Sequence, residues 1–195
     1  MGDATNNNYM GSLNLSDEEI EEMDVEVTHN EGAQLITFIL GEEKYGLDIL
    51  TVRELISYPE GLTQIPGMPD FIVGMFNLRG LVIPVMDLRI KFKMATEELH
   101  DYSVIIIVQV EEKNIGLIVD SVADVIFVKE EDIQETTEMA VHVDTNFIKG
   151  VAKTKDEMVI LMDINYLLSK SQFESLTKLE NDLKNITSIQ SSNHR

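Results

Sequence analysis

The chain of 195 residues has no cysteine, which excludes a disulfide framework, a thiolate nucleophile and a zinc site with sulfur ligands. Basic residues are also scarce: 15 Lys and Arg stand against 35 Asp and Glu, giving a net charge of −20. Because affinity for nucleic acids and anionic membranes depends mainly on Lys and Arg, we expect neither as a partner. The longest apolar runs, such as 104–108, are far shorter than the ~20 residues of a membrane-spanning helix, so we expect no direct membrane insertion.

Groups that would mark an active site are also missing from the sequence pattern. The four histidines (His29, His100, His142 and His194) lie in unrelated segments without metal-ligand neighbours at helical spacing. There is no glycine-rich phosphate loop and no Gly-x-Ser-x-Gly turn around a nucleophile. We therefore expect no enzyme, no cofactor and no metal.

The acidic charge is concentrated at the N-terminus. Residues 1–33 hold nine acidic residues and no Lys or Arg, and we interpret them as an acidic flexible extension. Within it, Ser16 and Glu19 have the spacing of a capping box, which favours a short helix over 17–24. A solvated leader is the simpler interpretation, and a docking arm for a basic partner is the alternative.

The C-terminal residues 170–195 have the pattern of an amphipathic helix followed by a tail. Apolar side chains recur there at steps of three and four residues, at Phe173, Leu176, Leu179, Leu183, Ile186 and Ile189. This stripe favours packing against the body of the same protein, with binding of a partner as the alternative.

Residues 34–169 are rich in predicted β-strands and repeat themselves. The segment 34–49 matches 102–120 at an offset of 69–70 residues around Gly46 and Gly116, and we treat Asp48 and Asp120, which lie near the ends of the two segments, as equivalent repeat positions. Two further matches, 71–75 with 147–151 and 85–88 with 161–164, share an offset of 76. Two half-units of about five short strands each indicate a mainly β molecule of two small barrels that share a core face. The pattern leaves open whether strands cross between the halves.

A hairpin tip is predicted at Asn77-Leu78-Arg79-Gly80, between the apolar strands 71–76 and 81–86. Asn and Gly tolerate the positive φ that such tips require. The equivalent positions of the second half do not contain this run, so Arg79 is special to the first half. We expect no folding role for Arg79 at this position, and loop residues are where binding concentrates.

Several of these runs, taken together and in order, resemble the CheW family of bacterial chemotaxis coupling proteins. The resemblance covers residues 34–169 and implies two SH3-like five-stranded β-barrel subdomains in one module, with a groove between them. It implies a cytoplasmic, non-enzymatic adaptor that couples the signalling tips of methyl-accepting chemoreceptors to the regulatory domain of a CheA-type histidine kinase and supports array assembly. The runs that carry the resemblance are 45–50, 52–55, 71–74, 77–80, 84–89 and 116–122.

The resemblance also implies site residues. On the receptor-facing side it implies Val52, Glu54, Gly74 and Arg79, and near the groove from the second half it implies Val122 and Val125. The repeat supports this placement, since 52–55 and 122–125 are equivalent at an offset of 70. The valines could instead be core residues, and Gly74 could serve a tight strand bend.

Three other functions remain as alternatives. The chain could be a CheV-like or other receptor adaptor with the same fold, although the residues after 170 leave no room for a receiver domain. It could be a regulatory module separated from a kinase. It could also be a small hydrolase or ligand-binding barrel, which would require a pocket with converging polar groups.

Overall fold

The computed structural model describes residues 32–59, 61–95, 103–135, 146–154 and 157–178. The helix predicted over 17–24 and nearly all of the acidic extension lie outside the described residues. The four histidines also lie outside them, as does the apolar stripe from Leu179 onward. Within the described ranges no helix is long and apolar enough to cross a membrane.

Eleven strands are formed in the described ranges, joined by tight turns and short helical segments. Alternating and continuous apolar runs rich in Val and Ile account for them, because such side chains pack well on a pleated surface. The strands are β1 (Gly32–Leu40), β2 (Glu43–Asp48), β3 (Val52–Ser57), β4 (Ile72–Leu78), β5 (Leu81–Asp87), β6 (Val104–Val110), β7 (Lys113–Val119), β8 (Ser121–Lys129), β9 (Ile133–Glu135), β10 (Ile148–Lys153) and β11 (Met158–Met162). The helical segments are 3-10 turns at Ile49–Thr51, Glu130–Asp132 and Ile164–Tyr166, the single-turn helix α1 (Leu88–Lys91), and helix α2 over residues 170–178.

The strands form two sheets, and each sheet takes strands from both halves of the repeat. Sheet A has the order β8-β1-β2-β11-β10-β9, and sheet B has the order β3-β6-β7-β5-β4. The hairpin β1–β2 of the first half therefore lies in sheet A, with β8 to β11 of the second half. The hairpin β6–β7 of the second half lies in sheet B, with β3 to β5 of the first half. The question that the sequence left open is answered: the two halves exchange their first hairpins.

The pairing of the two sheets follows the same scheme, as expected for a repeat. Strand β2 is parallel to β11 through Tyr45↔Ile160, and its equivalent β7 is parallel to β5 through Val85↔Gly116. Asp87 ends β5, and Asp163 follows β11 at the equivalent repeat position. Each carboxylate accepts a hydrogen bond from the backbone N–H two residues later, at 2.8 and 2.9 Å. The prediction of a mainly β molecule of two similar units is confirmed.

One sheet has six strands rather than five, and the difference is local. The three-residue strand β9 pairs with β10 in sheet A. At the equivalent place in sheet B a single bridge joins Thr63 to Met75, with the two N–H···O distances both 2.9 Å. The two sheets therefore differ only in how long this last pairing runs.

The largest apolar cluster includes residues from both sheets. It contains Phe38 and Leu47 of sheet A together with Ile106 and Leu117 of sheet B, all nearly inaccessible to solvent. A smaller cluster lies within each barrel, around Val159 in one and Val85 in the other. Two barrels of about 70 residues would each be marginally stable alone, and the shared cluster removes apolar surface of both from water.

Helix α2 packs against this shared cluster. Leu176 is buried at 5% exposure, and Phe173 contacts the cluster while half-buried. The first two apolar positions of the predicted stripe therefore face the body of the protein, as the sequence favoured. Ser169 lies just before the helix, and its hydroxyl accepts a hydrogen bond from the N–H of Gln172, as an N-terminal cap does.

Candidate functional site

Two of the six candidate residues, Glu54 and Arg79, are in direct contact although 25 positions separate them. The Arg79 guanidinium donates from Nη1 to Oε2 of Glu54 at 3.1 Å and from Nη2 to Oε1 at 2.8 Å. This fork-to-fork geometry is the strongest arrangement of an Arg–carboxylate pair. The Arg79 side chain is 77% exposed and that of Glu54 is 30% exposed, so the pair lies at the surface.

The ion pair connects the two outer strands of sheet B. Glu54 belongs to β3, and Arg79 begins the turn between β4 and β5. Strands β3 and β4 are the first and last strands in the order of this sheet. The pair therefore lies across the seam where the sheet closes on itself. The expectation that Arg79 has no folding role is wrong to this extent, because its side chain has a partner within the fold.

The predicted hairpin tip is present, but the positive φ angles do not fall on the residues that the sequence indicated. Arg79 and Gly80 both have positive φ, +52° and +89°, as a two-residue turn of type I′ requires. The Gly80 N–H donates to Oδ1 of Asn77 at 2.8 Å. The left-handed conformation therefore falls on Arg79 and Gly80, and Asn77 supplies a side-chain acceptor instead. A residue with a β-carbon adopts such a φ at a cost of ~1–2 kcal/mol, which makes Arg79 an unfavourable choice for folding.

The three candidate valines lie just after or near the points where the chain passes from one sheet to the other. Val52 follows the 3-10 turn Ile49–Thr51 that leads from sheet A to sheet B, and Val122 follows Asp120, which leads back. Both are half-buried and pack against the shared apolar cluster. Val125 is 44% exposed on β8. The core interpretation therefore fits Val52 and Val122 and does not fit Val125.

A buried hydroxyl holds the strand that carries Val122 and Val125. Thr37 is fully buried in β1, and its Oγ1 donates to the carbonyl of Asp124 at 2.9 Å. The same oxygen accepts from the Asp124 N–H at 3.1 Å. These bonds lie where the pairing of β1 with β8 shifts its register between Ile36 and Phe38. Thr37 thus stabilises the irregular strand segment that exposes Val125.

Gly74 does not join the exposed pair of Glu54 and Arg79. It is buried in β4, where a β-carbon would lie 2.7 Å from Cβ of Leu62 and 3.0 Å from the carbonyl oxygen of Thr63. Its repeat equivalent, Gly150, is crowded in the same way by the backbone of Gln134, at 2.5 Å. The lack of a side chain at position 74 therefore allows a loop segment to cross β4 closely, which agrees with the structural interpretation of this glycine.

The structure also shows exposed apolar side chains that sequence reasoning did not select. Leu50, Leu55 and Leu81 are 81%, 43% and 51% exposed, although such residues in predicted strands suggest burial. Leu55 follows Glu54 directly, and Leu81 lies two residues after Arg79. No signal in a single sequence distinguishes these leucines from core residues.

A cavity of about 1300 Å³ lies on another part of the molecule, between α1, the start of β10 and helix α2. Its wall includes six aromatic side chains, and the rings of Phe92 and Phe147 are stacked at 4.3 Å, with the ammonium of Lys91 4.3 Å from the ring centre of Phe71. Burial raises the pKa of Tyr45, which also lines it. Among the described residues no group of His, Asp or Glu could hold a metal ion. Charged side chains such as Asp70, Lys93 and Glu111 also line the cavity, so its wall combines apolar surface with acidic and basic groups.

The fold and the surface together define the class of the protein: a two-barrel β module with an exposed ion pair at a barrel seam. Residues 34–172 match the model of the CheW-like domain. The chain is 38% identical over 141 residues to the chemotaxis protein CheW of Klebsiella aerogenes, covering 72% of this chain and 84% of the relative. It is 35% identical over 155 residues to CheW of Treponema pallidum, covering 77% and 91% of the two chains.

A solved structure gives the same result. The crystal structure of the scaffolding protein TtCheW from Thermoanaerobacter tengcongensis superposes with a TM-score of 0.67 at 38% identity, covering 72% of this chain and 95% of that one. The chain belongs to the CheW family and is a chemotaxis scaffold, or adaptor. The resemblance seen in the sequence is confirmed.

Proposed function

We propose that the chain couples the signalling tip of a methyl-accepting chemoreceptor to the regulatory domain of a CheA-type histidine kinase. It does so without catalysing a reaction, in the cytoplasm at receptor arrays. Membership of the CheW family supports the coupling role. The receptor tip is a helical hairpin, and a helix is recognised through apolar side chains at helical spacing together with a few polar contacts that fix its orientation.

The observation that carries the proposal is the contact between Glu54 and Arg79. Both residues were assigned to the receptor-facing set on the basis of the family resemblance, and they meet at the surface in a bidentate pair. Exposed Leu55 and Leu81 flank them in sequence and supply apolar area. An arginine fork that is largely exposed presents its remaining N–H groups to carboxylate or carbonyl oxygens of a bound helix.

The second half contributes the other side of the proposed surface. Val122 packs against the shared cluster, and Val125 is exposed on β8 in sheet A. A helix bound to both regions would contact sheet B through Arg79 and sheet A through Val125. We propose that Val52 and Gly74 support this surface from below. Val52 packs against the shared cluster, and Gly74 is buried beneath the loop that crosses β4.

Titration of the isotope-labelled chain with a receptor signalling-tip fragment and, separately, with a kinase regulatory domain tests the proposal. We expect shifts around Glu54, Arg79 and Val125 with the tip. Arg79→Ala should weaken tip binding by about tenfold or more, which corresponds to ~1.4 kcal/mol. Arg53→Ala is the matched control, because it removes an exposed arginine that lies next to Glu54 in β3 and not in the β4–β5 turn.

The outcomes separate clearly. Loss of tip binding in Arg79→Ala with normal binding in Arg53→Ala supports the assignment. Equal binding of both folded variants contradicts it, and absence of tip binding by the unchanged chain contradicts the coupling function itself.

A further inference from the structure

An ion pair with little exposure lies where the two barrels meet, two residues before Val122 of the proposed receptor surface. Arg89 of α1 donates from Nε to Oδ1 of Asp120 at 2.6 Å and from Nη2 to Oδ2. Its Nη1 donates to the carbonyl of Ala95 at 3.1 Å. The Arg89 and Asp120 side chains are only 10% and 21% exposed. Nothing in the sequence pattern marks Arg89 as a site residue, and Asp120 stands out there only as a repeat position.

The position of Asp120 makes this pair a link between the two sheets. Asp120 stands between β7 of sheet B and β8 of sheet A, where the chain crosses from one to the other. Its Oδ2 also accepts a hydrogen bond at 2.7 Å from the N–H of Gly41, in the turn between β1 and β2 of sheet A. Arg89 is the second residue of α1, and α1 directly follows β5 of sheet B. One carboxylate therefore joins the end of sheet B, the crossover and the first turn of sheet A.

The repeat lacks this link at its equivalent place. The strand registers place Gly46 opposite Leu161 and Gly116 opposite Val85, so Leu50, and not Asp48, is the counterpart of Asp120 at an offset of 70, and it has no carboxylate. Asp48, the acidic residue at that crossover, is exposed, and its carboxylate accepts from the N–H of Leu50 at 2.9 Å. The counterpart of Arg89 at an offset of 76 is Asn165, which bonds to Asp163 at 2.9 Å. The asymmetry is chemical, since the backbone pairings of the two halves match. A link needed only for folding a symmetric pair of barrels would be expected at both crossovers.

We propose that Arg89 and Asp120 are positioning residues that fix the placement of sheet A relative to sheet B, and thereby align the two sides of the receptor surface. The inference rests on the proposed function, because it concerns a partner that contacts both sheets. Val122 lies two residues after Asp120, so a shift of the crossover moves the start of β8. Glu54 and Arg79 lie on sheet B and remain in place.

The pair has chemical features suited to this task. Its bidentate geometry restricts direction as well as distance, which a single hydrogen bond does not. Low exposure reduces screening by salt and water, so the link persists at physiological ionic strength. When one partner is neutralised, the attraction between carboxylate and guanidinium that ties the crossover to α1 is lost, which releases the crossover.

Asp120→Asn tests the proposal, with Asp48→Asn as the matched control at the equivalent crossover. Residual dipolar couplings of the two sheets report their relative orientation, and a titration with the receptor-tip fragment reports binding. In Asp120→Asn, we expect the dipolar couplings of each sheet to agree with the structure of that sheet alone. The couplings of both sheets together should no longer agree with the single relative orientation seen in the structure. If the aligned arrangement falls to about a tenth of the population, tip affinity falls about tenfold. Asp48→Asn should match the unchanged chain in both measurements.

A second variant guards against loss of folding. Arg89→Lys keeps the charge but loses the bidentate guanidinium. We expect a smaller change in sheet orientation and a smaller loss of tip affinity than in Asp120→Asn. If Asp120→Asn does not fold, Arg89→Lys provides the test. An unchanged common orientation, or unchanged tip affinity, in a folded variant of either residue overturns the inference. Failure of the unchanged chain to bind the tip instead overturns the proposed function, and the dipolar couplings still report on the link between the sheets.

Discussion

The backbone of Arg79 leads to a prediction in which stability and binding change in opposite directions. Its φ of +52° places a residue with a β-carbon in the left-handed region. That conformation costs an ordinary residue ~1–2 kcal/mol, and Asn adopts it more readily. The ion pair with Glu54 offsets part of the cost, but an exposed pair contributes only ~0.2–1 kcal/mol.

These magnitudes give different results for two substitutions of Arg79. Arg79→Ala keeps the strained φ and loses the ion pair, so the free energy of unfolding should fall by roughly 0.5 kcal/mol. Arg79→Asn loses the same pair but relieves about 1 kcal/mol of strain, for a net gain of roughly 0.5 kcal/mol. Both variants should lose binding to the receptor tip. The Asn variant would then be more stable than the natural chain and functionally impaired.

Urea denaturation followed by circular dichroism measures both free energies, provided the m-values remain equal. Arg53→Asn serves as the control, because it places Asn in the extended strand β3, where Asn is disfavoured and should destabilise. If Arg79→Asn is less stable than Arg79→Ala, the strain argument is wrong. If both variants are much less stable than the natural chain, Arg79 is explained by its contribution to folding, and its geometry no longer supports a role in recognition.

Two further predictions concern the fold. Gly74→Ala places a methyl group 2.7 Å from Leu62, and Gly150→Ala places one 2.5 Å from Gln134. Urea denaturation should therefore show a loss of ~1–3 kcal/mol in the free energy of unfolding for each variant. Losses below ~0.5 kcal/mol in both variants would contradict the crowding argument. Burial raises the pKa of Tyr45 above 10.0, so the folded chain keeps the phenol proton at a pH where the unfolded chain has released it. Stability should therefore fall as the pH rises from 10.0 through the folded pKa, and Tyr45→Phe should lack that part of the decline; equal declines would refute it.

The repeat made much of the fold predictable, and the pairing partners were what it left open. Offsets of 70 and 76 residues identified equivalent strands, and the observed pairings of those strands do match. A repeat identifies equivalent strands, however, but it does not show whether a strand pairs within its own half or with the other half. Keeping the hairpins 32–48 and 104–119 or exchanging them forms the same kinds of backbone hydrogen bonds. The choice depends on the path between strands, such as the three-residue turn Ile49–Thr51.

The candidate surface was predictable in its residues but not in its contacts. Arg79 stood out because the second half lacks an equivalent run, and Glu54 came from the family resemblance. Their ion pair depends on the closure of sheet B, which brings β3 near the β4–β5 turn. Arg89 gave no signal, since a basic residue after an apolar run is ordinarily assigned to the surface. Its burial follows from Asp120, a partner 31 positions away.

The exchange of hairpins has a consequence for how a bound partner would act on the molecule. Each sheet contains strands from both halves, so neither half can complete a barrel without the other. Val52 and Val122 lie directly after the two crossovers, and Arg89 binds Asp120 at one of them. Contacts at the proposed surface therefore bear on the segments that join the sheets. We expect a helix bound across both sheets to restrict their relative motion, whereas a ligand of one sheet would leave the other crossover free.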